Sequence, residues 1–431
     1  MGQMIGQTVP QSRTPLTRQQ RSGFWAAWTG WLLDGMDSVI YALVLGPAMV
    51  TLLPKSGIAA TTGNVGLYGA ILFALFLVGW GLSMVWGPLA DRVGRARILM
   101  VTILVYAVFT FLSGFAQNIW ELAIFRLLAG LGIGGEWSMA GTFVAESWPE
   151  DRRKMGAGYL QTAYYAGFFV AAALNYTVGA TFGWRAMFFV GLIPAFVSFW
   201  VLFGVREPER FEQAKQRADK RLPLAKIFDP AYRKRTLINS VLLTVAIIGL
   251  WAGTVYEPTA VEEVAKRLGD TGAQIVHMAS FSTGILSIGT IIGCLLLVPL
   301  AERFGRKATL AGYFSLMLVS IVLAFGWAFY LPHAITPLLV ILFFLGIGGA
   351  NFAMFSLWLP EQYPTDRRAS AFAFSTSIGR FIGAGVTFLI GALIHGMGTL
   401  GTPVALTAIA FGIGLLFIPA GVETRGLTLP E

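Results

Sequence analysis

The eight residues Pro88–Arg95 (PLADRVGR) return at Pro299–Arg306 (PLAERFGR), six of eight identical and 211 positions later. Leu131–Gly135 returns unchanged as Leu345–Gly349 after 214 positions, and Glu146–Arg153 (ESWPEDRR) as Glu361–Arg368 (EQYPTDRR) after 215. Three matches in one order at nearly one spacing imply two homologous halves of the same orientation. This duplication restricts the fold severely, because each half must build the same unit and meet the other along an interface.

The halves are made of apolar runs. Of 431 residues 56% are hydrophobic and only 12% charged, with a mean hydropathy of +0.69, more apolar than a soluble chain of this size requires. A helix needs about 20 apolar residues to cross a bilayer. Twelve runs qualify, roughly 24–53, 65–88, 97–116, 120–146, 155–181, 184–204, 236–257, 273–300, 307–329, 336–359, 367–395 and 402–421. The expected fold is an all-α membrane protein with twelve transmembrane helices in two parallel six-helix repeats. Residues 1–23 form a tail, 24–204 the first bundle, 205–235 a charged linker, 236–421 the second bundle and 422–431 a second tail. No apolar region precedes the first run, which is therefore expected to serve as both signal and anchor.

Charge sets the expected orientation. With the N-terminus inside, the inner segments hold 25 of the 31 Lys and Arg residues, and the outer ones hold four: Lys55, Arg185, Lys266 and Arg267. Two, Arg126 and Arg380, lie within runs. This is the positive-inside pattern, with both termini cytoplasmic. The net charge of +9 follows from it, so no nucleic-acid partner is expected. The single cysteine, Cys294, and three histidines offer neither a disulfide framework nor a metal set.

Gly87–Arg97 (GPLADRVGRAR) resembles the loop 2–3 signature of the major facilitator superfamily, and its second copy follows span 8, as in that family. Arg126 with Gly130, Gly132 and Gly134 is similar to the family's span 4 motif, and Glu423-Thr424-Arg425-Gly426 resembles the ending of its sugar and metabolite branches. Asp34-Gly35-Met36-Asp37, with Gly135-Glu136-Trp137 and Ala145–Pro149, looks most like the proton symporters for organic acids, the sialate and aromatic-acid groups. Tyr164–Phe169 (YYAGFF) replaces the Gly-Pro signature of the drug-exporting antiporters, which counts against efflux. The resemblance covers the whole chain. It implies a secondary transporter, not an enzyme, working as a monomer in a bacterial inner membrane, with protons as the coupling ion and no other cofactor.

The duplication separates scaffold from site. Asp91, Arg92 and Arg95 have counterparts in Glu302, Arg303 and Arg306, and Glu146, Arg152 and Arg153 in Glu361, Arg367 and Arg368. Shared charges at the inner mouth point to gating: Asp91, Arg92, Arg95, Glu146, Arg152, Glu302, Arg303, Glu361 and Arg367. Unshared charges inside spans are harder to explain as scaffold. Asp34 and Asp37 correspond to Ala246 and Gly249, Arg126 to Val340, Glu136 to Ala350 and Arg380 to Tyr165. A carboxylate at mid-membrane carries an insertion penalty of about 2.5–3.5 kcal/mol, which suggests a cavity, a cation partner or a proton. Asp34, Asp37, Glu136 and Arg126 are accordingly the proton-coupling candidates. The alternative for each is a structural ion pair or helix tether.

Arg380 can grip a carboxylate with a bidentate fork. Tyr41, Gln161, Tyr164, Tyr165, Asn351 and Trp251 are the further substrate-binding candidates, with helix packing or interhelical hydrogen bonding as the alternative reading. The function expected is proton-coupled import of a small organic acid by alternating access; a sialic acid, a short monocarboxylate or an aromatic acid would each suit Arg380. A sugar or polyol porter, a proton-driven exporter and a membrane sensor are the alternatives.

Overall fold

The computed structural model describes residues 15–86, 89, 95–134, 148–196, 227–427 and 430. The first half contains α1 (Arg18–Lys55), α2 (Thr62–Leu82), α3 (Arg95–Ser113), α4 (Ile119–Ile133), α5 (Glu150–Leu174) and α6 (Trp184–Val190). The second contains α7 (Arg233–Arg267), α8 (Ala273–Phe304), α9 (Arg306–Ile321), α10 (Ile335–Gly349), α11 (Thr365–Met397) and, after the short turn of helix Gly401–Ala405, α12 (Ala408–Phe417). Among the described residues eight helices are long and apolar enough to cross a membrane. The runs expected at 97–116, 120–146, 155–181 and 184–204 appear as α3 to α6, helical but shorter or more polar over the described residues.

Two helices extend beyond the apolar runs that predict them. α1 starts at Arg18, ahead of its run, because Thr17 and Gln20 close a capping box there. Thr17 Oγ1 accepts from the Gln20 N–H at 3.2 Å and Gln20 Oε1 accepts from the Thr17 N–H at 2.9 Å, which satisfies donors a helix start otherwise leaves open. The seventh run does not stop at residue 257: α7 continues to Arg267. Hydropathy ends that run early because Glu257, Glu262 and Glu263 interrupt it. Packing keeps it helical, with Lys266 and Arg267 placed at the negative end of the helix dipole.

Within the first half α1 lies along α5, and within the second α7 lies along α11. The halves meet where α2 packs on α11, α5 on α8 and α1 on α7. The α1–α5 crossing depends on two glycines. A Cβ on Gly35 would collide with the Tyr164 backbone, and one on Gly167 with the Leu32 carbonyl. Bare backbone at both positions lets the helices approach closely, and so buries the two carboxylates that flank Gly35.

Candidate functional site: a buried charged centre between the halves

Asp37 stands at the midpoint of α1, nineteen residues from Arg18 and eighteen from Lys55. Its side chain and that of Asp34 are fully buried. Thr110 of α3 donates its hydroxyl to Asp37 Oδ2 at 3.0 Å, and Thr110 Oγ1 itself accepts from Arg126 Nη2 of α4 at 3.2 Å. Arg126 also donates to Ser113 Oγ at 2.8 Å and lies over the Phe188 and Tyr41 rings at 5.0 and 5.9 Å. The aspartate and arginine are thus joined through one hydroxyl, acting as donor to one and acceptor from the other. Asp37 Oδ1 is buried and, among the described residues, receives no hydrogen bond. Asp34, one turn earlier, has its own carbonyl capped by Ser38 Oγ at 2.8 Å.

Arg380 lies midway along α11, fifteen residues from Thr365 and seventeen from Met397. Its guanidinium covers the Trp80 ring of α2 at 4.1 Å, an attraction of the cation for the ring's negative face. Trp251 of α7 sits at the hub of an aromatic cage, 5.3 Å from Phe73, 5.6 Å from Trp80, 6.4 Å from Tyr164 and 6.5 Å from Phe168 between ring centres. Tyr164, tilted against Trp31 at 4.6 Å between ring centres, has its backbone against Gly35, the residue after Asp34. Charges that are far apart in sequence and belong to opposite halves are therefore gathered at one buried centre.

The other candidate ligands are largely engaged in helix contacts. Tyr41 donates to the Gly69 carbonyl at 3.0 Å, and Asn351 to the Gly348 carbonyl of its own turn at 2.8 Å. Gln161 accepts from Trp31 Nε1 at 3.3 Å and donates to Ser356 across the interface, while Tyr165 reaches the Gly349 carbonyl at 3.4 Å. These bonds hold helices together, and those of Gln161 and Tyr165 tie the two halves. Glu136 lies outside the described residues. Thr110 and Trp80 were not legible as site residues: a threonine sixteen positions from Arg126 and one indole among thirteen carry no distinguishing pattern.

A second charged cluster gathers residues of the duplicated motifs. Lys154 Nζ of α5 meets Glu302 of α8 at 3.2 Å, bridging the halves, and Glu302 meets Arg306 Nη1 at 2.7 Å. Arg306 grips Glu361 with two bonds, Nε to Oε2 at 3.0 Å and Nη2 to Oε1 at 2.7 Å, and Thr424 Oγ1 donates to Glu361 at 2.6 Å. Glu423 caps the start of α9, accepting from the Arg306 and Lys307 N–H groups at 3.0 and 3.1 Å. Partial burial works to raise the Glu423 carboxyl. The backbone donors of Arg306, Lys307, Arg425 and Thr424 outweigh it and hold the group below its ordinary 4.5. Arg367 pairs with Asp229 at 2.6 Å, whereas Arg303 is exposed and lies over the Phe304 ring at 5.3 Å. Arg152 is half-buried. Asp91, Arg92, Glu146 and the Arg95 side chain lie outside the described residues.

Long apolar helices surrounding a buried charged centre, assembled from both halves, define a multi-pass membrane transporter. A family model described as Major Facilitator Superfamily matches residues 28–265, and the chain belongs to that superfamily. It is 30% identical over 426 residues to a probable 4-methylmuconolactone transporter of Cupriavidus pinatubonensis, covering 95% of this chain and 92% of that one. It is 26% identical to the sialic acid transporter NanX of Escherichia coli, over 94% and 95% of the two chains. The xylose transporter XylE of E. coli, in a partially occluded inward-open conformation, has the same fold: TM-score 0.77 at 18% identity, over 96% of this chain and all of that one. The protein is a transporter rather than an enzyme.

Proposed function

We propose that this protein imports an organic anion together with protons, by alternating access, across a bacterial inner membrane. It does so as a monomer of twelve spans in two six-helix repeats, with both termini cytoplasmic and no cofactor beyond the proton. The observation that carries this reading is a continuous buried contact between the halves: Arg380 covers Trp80, Trp80 packs on Trp251, Trp251 packs on Tyr164, and the Tyr164 backbone lies against Gly35 beside Asp34. A carboxylate bound at Arg380 and a proton bound at the aspartates would then bias the same rocking motion, which coupling requires.

Arg380 lies over the Trp80 ring at 4.1 Å, and a guanidinium can grip a planar carboxylate with two parallel N–H bonds. The cage of Phe73, Trp80, Tyr164 and Phe168 around Trp251 suits an aromatic or unsaturated body. Relatives named for 4-methylmuconolactone and sialic acid support an organic-acid substrate. Protonation of Asp37 from outside removes the negative charge that Arg126 sees through Thr110, loosening α1 from α3 and α4. The anion then binds, the halves close over it, and loss of the proton to the cytoplasm restores the link. Lys154–Glu302, with Arg306–Glu361 behind it, acts as the inner gate, alongside the other charges shared between the halves.

The test is uptake by proteoliposomes of gentisate, benzoate and a sialic acid under an imposed inward proton gradient. Wild type is expected to concentrate at least one of them. Asp37→Asn is expected to lose concentrative uptake while keeping counterflow exchange, and Arg380→Ala to lose both. Accumulation against a gradient by Asp37→Asn would remove that residue from coupling, and uptake of xylose in place of every acid would overturn the substrate class.

A further inference from the structure

Asp34 and Asp37 are not the only buried carboxylates in the spans. The unexpected extension of α7 carries Glu257 and Glu262, 1% and 3% exposed, and the two have different surroundings. Glu262 faces α1 at Gly46, where a Cβ would collide with its carboxylate; its Oε2 lies 4.0 Å from Lys266 Nζ, one turn further along. A cation therefore accompanies Glu262. Glu257 faces α8, where Thr283 donates its hydroxyl to Oε2 at 2.8 Å. The neighbouring Ser282 directs its hydroxyl to the Ala279 carbonyl at 2.8 Å. Glu257 Oε1 is buried and, among the described residues, has no hydrogen-bond partner. The charged group acting on Glu257 is Glu262, a like charge, and no Lys, Arg or His among the described residues pairs with it.

An ionised carboxylate so placed lacks both a counter-charge and a full set of donors, and this is the costly way to bury one. A proton on Oε1 removes the charge and leaves the Thr283 bond to Oε2 intact. We propose that Glu257 is a second proton-binding site of this transporter, in the opposite half from Asp34 and Asp37, occupied while α1 and α8 are closed against α7. When those helices part, Oε1–H is exposed to water and its proton passes to solvent; on closure a proton is taken up again. The inference rests on the proposed membrane orientation, which puts this end of α7 outside, and not on the identity of the substrate.

Infrared difference spectra of the full-length protein in lipid vesicles, recorded without substrate between neutral and alkaline pH, read the carbonyl stretch of protonated carboxyls directly. Wild type is expected to give such absorption, one component of which Glu257→Gln removes and which Glu262→Gln and Asp37→Asn leave in place. Thr283→Val is expected to move the same band to higher frequency, because the carbonyl oxygen loses its hydrogen bond. An unchanged band in Glu257→Gln overturns the proposal. If that variant does not fold, the absence of a shift in Thr283→Val overturns it equally. Loss of the band in Glu257→Gln alongside a failure to transport any carboxylate would keep this site and remove the substrate reading, so the two can fail separately.

Discussion

Two buried charge clusters in this molecule use the same residue types in different ways. At the duplicated motifs of the second half, Arg306 and Glu361 meet face to face with two hydrogen bonds, their side chains 0% and 2% exposed. Thr424 and Glu302 supply further bonds to the pair. In the middle of the first half, Arg126 and Asp37 are equally buried, yet Thr110 stands between them and one aspartate oxygen receives no hydrogen bond among the described residues. Direct, fully bonded pairing holds a charge in one state. Pairing through a hydroxyl, with an oxygen left over, allows a proton to be added without breaking an ion pair. The first arrangement suits a latch and the second a switch.

Deleting a latch partner should cost most. Glu361→Ala leaves the Arg306 guanidinium buried beside only Glu302 and the Ala301 carbonyl. Removing one member of a buried pair typically costs about 3–5 kcal/mol, and the remaining contacts place this case near 3. Thermal unfolding in detergent measures it; a loss under about 1 kcal/mol, the range of exposed pairs, would erase the distinction drawn above. Thr110→Val should cost less, roughly 1–2 kcal/mol for the stranded polar atoms. It keeps the shape of the side chain but ends the link between Asp37 and Arg126. Unaltered stability together with unaltered gradient-driven uptake would mean that the hydroxyl link is incidental.

The smallest effect concerns Glu423. Its carboxyl is held below 4.5 in the folded protein by the N–H groups at the start of α9. A group depressed on folding contributes stability that is fully present above its unfolded value and is lost as pH falls through the folded one. Acidification below pH 4.5 should therefore destabilise wild type slightly more than Glu423→Gln. Identical acid profiles for the two would show that the cap does not act electrostatically. Lys154–Glu302, more exposed, lies between the clusters in character: it is weak as a contributor to stability, and its position across the halves gives it leverage over their separation instead.

Much of the fold was legible because bilayer thickness converts run length directly into helices, and because the duplicated motifs required two like halves. The separation of shared from unshared charges led to Asp34, Asp37, Arg126 and Arg380 without any coordinates. Other residues stayed silent for equally physical reasons. An aromatic in an apolar span looks the same whether it fills a gap or faces a ligand, so the pairing of Trp80 with Arg380 had no sequence signal. Tyr41 and Asn351 stood out because a polar group in a span must bond to something, and the carbonyls of Gly69 and Gly348 that accept from them carry no sequence signal.

Glu257 marks the limit most clearly. Sequence alone determined the membrane character and the short set of costly charges, and set the expectation of a duplicated architecture and of an orientation, because each is a sum over many residues or a penalty that one residue cannot hide. The tertiary structure decided which charges meet, which are bridged by a hydroxyl, and that α7 runs on past its apolar window to bury two more acids. Those facts depend on single contacts between helices remote in the chain, such as Thr283 against Glu257 and Gly46 against Glu262, and no local pattern encodes them.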